Sequence, residues 1–348
     1  MYKVEFVIKV ITPLFFSGTD QDLSEFLLSS LKRQMQFWWR AARANDDICP
    51  QINNKSGISL KIMYDKNDLL FGHDFKEDFN FQYNVKKIEG PHRGIANLYF
   101  SLLAEKRYYL KPKTKFRLII TGNDKNLIIK AVASLWLTTF FGGIGYSPWV
   151  GGGNIDIASF DIEDIEKESP DFVMEVSDAK SIMEWLKQNC NHALSIINDG
   201  STPKTFIPKF LNLSFSRIIL SNRAYFSWIE AINEIGKLYG NFKFFTKEDN
   251  KKAIPLIFKV IVAKNTFFWM AIRLTGLFLS HKNHLPLKDK KEEPDLELLD
   301  NFWNELKANG IESILTTPQI LSHAIAVSYT HLRAHETRHD LVCRLLLE

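Results

Sequence analysis

Runs of alternating hydrophobicity and stripes of helical spacing follow one another along this 348-residue chain in the order β, α, β, a β pair, α, β. That order predicts an α+β fold on a ferredoxin-like plan. The pattern recurs more loosely in the second half, and the length suits two domains of ordinary size. The expected architecture is two tandem ferredoxin-like domains, residues 1–165 and 171–327, joined by the acidic, polar segment Asp161 to Pro170.

Tyr2 to Thr12 sets Tyr2, Val4, Phe6, Ile8 and Val10 opposite Lys3, Glu5 and Lys9, a strand with one wet face ended by Pro13. A helix is expected between Asp22 and Ala44, with an apolar stripe of Leu27, Leu28, Leu31, Met35, Trp38 and Ala42. Ile58 to Tyr64 is a second strand. Leu98–Leu103 and Lys115–Thr121 are read as a strand pair, Asn126–Phe140 as a helix and Ile155–Ile162 as the closing strand. In the second half the expected elements are a helix at Ala179–Gln188, a strand at Leu211–Leu220 and a helix at Tyr225–Tyr239. Strands at Pro255–Ala263 and Phe267–Leu279 and a helix at Leu296–Ala308 follow.

A net charge of +4 and a pI near 8.7 permit an anionic partner without demanding one. The three cysteines, Cys49, Cys190 and Cys343, form no zinc-ligand spacing, so a reducing, cytoplasmic compartment is expected. The apolar stretches Ala131–Phe141 and Thr266–Ser280 read as buried elements: the first is too short for a bilayer and the second contains Arg273. No membrane association is expected. Residues 328–348 resemble the translated read-through of a sequencing adapter, so the native chain is expected to run to about Val327. Their three histidines are excluded from any metal site.

Two stretches carry the functional reading. Six of seventeen glycines, Gly142, Gly143, Gly145, Gly151, Gly152 and Gly153, lie in twelve residues after an apolar helix. Bare backbone N–H groups suit phosphate. A nucleotide-cofactor loop, however, follows a strand and opens a helix, the reverse of the order here, so a nucleotide cofactor is excluded. The other reading of the glycines is a flexible connection. The second stretch is the first helix, where Lys32, Arg33, Arg40 and Arg43 lie with Gln36 and Trp39 beside the apolar stripe. Cations neutralise phosphate and an exposed indole stacks a base. Trp38 is expected in the core and Trp39 at its edge; a solvated amphipathic helix is the alternative.

Other chemistry is weak. His281 and His284 have no further ligand at metal spacing. His73-Asp74 reads as turn chemistry, and Asp20 or Asp22 as a helix N-cap. His92 is a candidate acid–base residue for RNA cleavage but has no evident partner. No catalytic, metal or cofactor residue is assigned.

Four motifs together resemble the RAMP superfamily, and within it the family of first-numbered subunits of the type III-B CRISPR Cmr complex. They are Ile11-Thr12-Pro13-Leu14-Phe15-Phe16-Ser17-Gly18, the helix around Phe37-Trp38-Trp39-Arg40, Leu70-Phe71-Gly72, and Phe141-Gly142-Gly143-Ile144-Gly145 with its trailing glycines. Ala253–Val262 and Arg273-Leu274-Thr275-Gly276-Leu277-Phe278-Leu279 are similar to that family's second half. The resemblance implies two RAMP domains and a non-catalytic RNA-binding subunit. Such a subunit contacts crRNA and target single-stranded RNA near the crRNA 3′ end, beside other Cmr-complex RAMP subunits, in antiviral defence. The alternatives are a RAMP-fold endoribonuclease that processes CRISPR transcripts and a protein-only adaptor. Where family loops carry arginines, this chain has Ser147, Pro148, Trp149 and Val150; the helix has Arg33 in place of a glycine and Gln36 in place of an arginine. Charge is therefore expected on Lys32, Arg33, Arg40 and Arg43. The loop glycines are expected to make backbone contacts to RNA and Trp149 to stack.

Overall fold

The computed structural model describes residues 1–16, 23–43, 57–82, 89–99, 108–162, 165–200, 211–242, 256–275 and 296–315. The first unit begins with β1 (Tyr2–Val10), whose Val4, Phe6, Ile8 and Val10 all point into the core, as the alternation demands. Two-residue β2 (Leu14–Phe15) and the 21-residue α1 (Leu23–Arg43) follow. Next come β3 (Ile58–Met63), short β4 (Phe71–Gly72), α2 (Arg93–Leu98) and short β5 (Tyr109–Leu110). β6 (Lys115–Gly122), α3 (Lys125–Phe141) and β7 (Ile155–Asp161) complete the unit. After α4 (Ala179–Ile197), the second unit contains β8 (Asn212–Ser221), α5 (Trp228–Asn241), β9 (Leu256–Ala263), β10 (Thr266–Thr275), α6 (Leu296–Ala308) and β11 (Gly310–Ile314).

The two main sheets have one topology. The orders are β3-β6-β1-β7 and β11-β8-β10-β9, with every pairing antiparallel. In each, the first strand lies between the third and fourth and the second strand takes an edge, with helices as crossovers. This is the tandem ferredoxin-like arrangement. A third sheet, β2-β5-β4, sits apart from both.

α3 is capped at its start by Asp124, which accepts from the N–H groups of Asn126 and Leu127. It is apolar on all sides and almost wholly buried, as a helix covered on every face must be. α4 packs chiefly on α3 and also touches α1, so the first unit's helix layer carries an additional helix. The residues of α4 join the same core as β1, α1 and α3.

Two expectations are corrected here. Leu98 does not start a strand; it ends α2, and residues 100–107 lie outside those described. β6 pairs with β3 and β1 instead. Helix formation at 93–98 is imposed by the second unit. Asn233 of α5 accepts from the N–H groups of Gly94 and Ile95 (3.0 and 3.3 Å), which act as the free donors of a helix start, and donates to the Pro91 carbonyl. Gly94 and Gly236 let the two helices touch: a Cβ on Gly236 would lie 2.1 Å from the Gly94 carbonyl oxygen. The second correction is β11, a strand that the sequence reading did not include. Gly310-Ile311-Glu312-Ser313-Ile314 has only two apolar residues to alternate, and pairing with β8 makes it a strand.

Candidate nucleic-acid interface

The glycine loop follows α3 and runs from Gly142 to Asn154, between the two units. Gly142, Gly143, Gly151, Gly152 and Gly153 are buried, and Gly145 is half-buried. Most of its donors are engaged within the chain. Gly142 N–H donates to the Thr138 carbonyl, Ile144 to Gly153, Tyr146 to Phe15, Gly152 to Ser147 and Gly153 to Pro13. Gly145 N–H donates to the Ser30 hydroxyl of α1 at 2.6 Å. Thr12 holds the far end: its hydroxyl donates to the Gly151 carbonyl and accepts from the Asn154 N–H, both at 2.8 Å. The Tyr99 hydroxyl donates to the same Gly151 carbonyl.

The glycines are required by close approach. Gly153 has φ +57°, and a Cβ there would lie 1.8 Å from the Ile144 carbonyl oxygen. Gly151 has φ +83° and is pressed against Ile232 of α5. The expected RNA contacts of the Gly142, Gly145, Gly152 and Gly153 N–H groups are therefore corrected, and Gly143 and Gly151 are buried. The loop is an internal seam, and a backbone donor already bonded and buried is not offered to phosphate.

The same loop covers the outer edge of β9. Phe258 N–H donates to the Trp149 carbonyl and Val260 N–H to Asn154 Oδ1. An open strand edge is thus paired within the chain. β9 in return sends a fully buried lysine across. Lys259 Nζ donates to the Gly142 carbonyl at 2.6 Å, a cation at the negative end of α3. Burial lowers its pKa to about 7, opposed in part by the nearby Asp156 carboxylate. Asp156 is itself held above the ordinary carboxylate range by burial. The sequence reading missed Lys259. Its only signal was a lysine alone among apolar residues in Leu256–Ala263, a strand that packs on both faces.

α1 divides cleanly. Leu27, Leu31, Gln34, Met35, Trp38, Trp39, Ala41 and Ala42 are buried against α3, β3, α4 and β8. The remaining arc presents Lys32 and Arg43, half-buried, and Arg33 and Arg40, exposed. Among the described residues Lys32, Arg33 and Arg40 enter no ion pair. Arg43 lies over the Trp39 ring, 5.9 Å from its centroid.

Trp39 is the second site correction. It is 0% exposed and belongs to the core, so it offers no face to a base. Trp38 and Trp39 are both buried because α1 lies between its own sheet and elements that follow the first unit. The covered arc is therefore wider than one apolar stripe. Trp149 is half-buried, with its ring 5.2 Å from that of Phe37 on α1.

The histidine readings resolve locally. His92 Nδ1 accepts from the Gln82 N–H at 3.0 Å, its ring packs on Phe81, and burial lowers its pKa. Asp74 caps a helical turn at Phe75–Asp78. No group of three or more potential metal ligands occurs among the described residues, and none of their helices is long and apolar enough to cross a membrane. Asp20, Asp22, His281, His284 and residues 328–348 lie outside the described residues.

No protein-family model matches the chain. It is similar to the CRISPR system Cmr subunit Cmr1-2 of Pyrococcus furiosus, 24% identical over 45% of this chain and 96% of that protein. The crystal structure of Cmr1 from Pyrococcus furiosus, in the apo form, superposes with a TM-score of 0.62 at 16% identity, over 91% of this chain and 99% of that one. A chain in the cryo-EM structure of the type III-B Cmr-beta bound to cognate target RNA superposes with a TM-score of 0.50 at 12% identity, over 88% of this chain and 99% of that one.

Proposed function

From the homology of this chain to Cmr1 of Pyrococcus furiosus, we propose that it is a non-catalytic RNA-binding subunit of a type III-B Cmr effector complex in the cytoplasm. In this reading it contacts crRNA and target RNA near the crRNA 3′ end, beside other RAMP subunits, in antiviral defence. The observation that carries the RNA reading is the outer arc of α1. Lys32, Arg33 and Arg40 line a rigid helix, reach solvent and have no carboxylate partner among the described residues. Unpaired cations on a fixed scaffold neutralise phosphates at little reorganisation cost, and each releases counterions. Arg43 extends the arc by one turn.

The test is filter binding of the full chain to a single-stranded RNA oligonucleotide across a range of salt. Wild-type chain should bind, with affinity falling steeply as salt rises. Arg33→Ala with Arg40→Ala should weaken binding and flatten the salt slope by about 1.4 units, roughly 0.7 for each lost contact to a single strand. An unchanged slope would show that α1 does not touch phosphate. Metal-independent cutting of the RNA would instead establish an endoribonuclease.

A further inference from the structure

We propose that the open face of the first sheet, along β3 and β6, binds the phosphate backbone of single-stranded RNA. The inference rests on the RNA reading above and adds a second contact surface, on the side of the sheet opposite α1.

The two main sheets share a topology but not an environment. The second is covered on both faces. Ile218, Leu220 and Ile272 join the core of α1, α3 and α4, while Ile219, Phe258 and Trp269 join that of α5 and α6. The first sheet is covered on one face. Leu60, Ile62, Leu118 and Ile120 are buried in the core that α1 and α3 complete. Their alternates make the other face. On β3 these are Ser59, Lys61 and Met63; on β6 they are Lys115, Arg117, Ile119 and Thr121. Ser59, Lys61, Lys115 and Arg117 are exposed and the other three half-buried. No carboxylate stands at any of these seven positions.

Register joins the cations into one run. Lys115 and Arg117 are alternate residues of β6, about 7 Å apart along the strand. Lys61 pairs with Ile119 and Met63 with Arg117. Lys61 is therefore the diagonal neighbour of Arg117, about 7–8 Å away. Among the described residues none of the three cations enters an ion pair. The acids of this face lie toward its other edge. Glu5 on β1 is bonded to Lys3 at 2.5 Å and attracts Arg117 without an ion pair between them. Asp156 and Asp161 stand on β7, opposite Lys9 and Glu5. Lys115 instead faces Lys9, cation against cation, a pairing that destabilises a sheet. Asp156 compensates Lys9 from the far side and leaves Lys115 uncompensated.

This chemistry suits a phosphate backbone. The outward positions of β1, β3 and β6 hold no aromatic side chain, so bases find no stacking partner. The contact is one of charge and carries no sequence information. A flat face with one run of cations meets one strand of backbone. Protein interfaces deplete lysine and centre on an apolar core, whereas Met63 and Ile119 are the apolar side chains among the seven and both are half-buried.

The test is the salt dependence with which the full chain binds a single-stranded RNA oligonucleotide. Lys115→Ala with Arg117→Ala removes two cations from the open face, and an unchanged thermal midpoint shows that the variant is folded. The slope of log affinity against log salt should flatten by about 1.4 units, roughly 0.7 for each lost phosphate contact. Lys115→Arg with Arg117→Lys keeps both charges and should keep the wild-type slope. Lys180→Ala with Lys264→Ala removes two exposed cations that lie outside this face, and should also leave the slope unchanged. Equal flattening in that control would reduce the effect to overall charge and overturn the inference. Wild-type binding with an unchanged slope in Lys115→Ala with Arg117→Ala overturns this face alone and leaves its cations to a protein partner. No RNA binding by the wild type overturns both this inference and the reading beneath it.

Discussion

The glycine loop and the outer arc of α1 touch through the Gly145–Ser30 hydrogen bond, yet they are opposite kinds of surface. Both have the composition of a phosphate site. In the loop, most donors are paired inside the chain and five of the six glycines are buried. On α1, Lys32, Arg33 and Arg40 have no ion-pair partner among the described residues and reach solvent. Composition names the groups that a ligand could use; only their hydrogen-bond accounting shows whether they are free. Glycine is ambiguous here because close approach to a phosphate and close approach to the chain's own backbone make the same demand.

Substitutions can break this contrast, beginning with the loop. Gly153→Ala places a methyl group against the Ile144 carbonyl in a left-handed conformation. It should cost on the order of 3 kcal/mol or more, measured by urea unfolding, while the folded fraction keeps its RNA affinity. Next is Thr12→Val, which strips the Gly151 carbonyl of one donor and leaves the Asn154 N–H without its acceptor. About 1–3 kcal/mol is expected for orphaning buried groups, again without loss of RNA binding.

Lys259 sharpens the contrast through pH. Its folded pKa of about 7 lies below the ordinary lysine value, so unfolding takes up a proton between those two pH values. Stability should therefore rise as pH increases from about 7 toward 10 and gain nothing from this group below 7. Asp156 has the opposite sign, because its raised pKa makes stability fall as pH rises from the ordinary carboxylate range upward. Denaturation of wild type and Lys259→Met above neutral pH isolates the lysine: the rise should be absent in the variant. The smallest stability effect belongs to α1. Arg33→Ala with Arg40→Ala should change unfolding free energy by no more than about 0.5 kcal/mol while lowering RNA affinity. A large stability loss in that variant would erase the distinction between the two regions.

Much of the fold was legible because the core strands and helices have strong periods. β1 and β6 alternate, α1 shows a helical stripe, and α3 is bounded by Asp124 and Gly142. The site was legible only in part. The charges of α1 are where helical spacing puts them. Trp39 was misplaced because the sequence of α1 shows one stripe and cannot show that α4 and β8 widen it.

The sequence by itself determined the ferredoxin-like plan and most of its strands and helices, the burial of α3 and the cationic arc of α1, since these depend on local spacing and on the solvation of charge. The tertiary structure decided which of two phosphate-like stretches keeps its donors free. It also placed Lys259 at the end of α3 and made 93–98 a helix through Asn233. Each of those outcomes depends on a partner more than a hundred residues away, and no local pattern records whether such a partner will arrive.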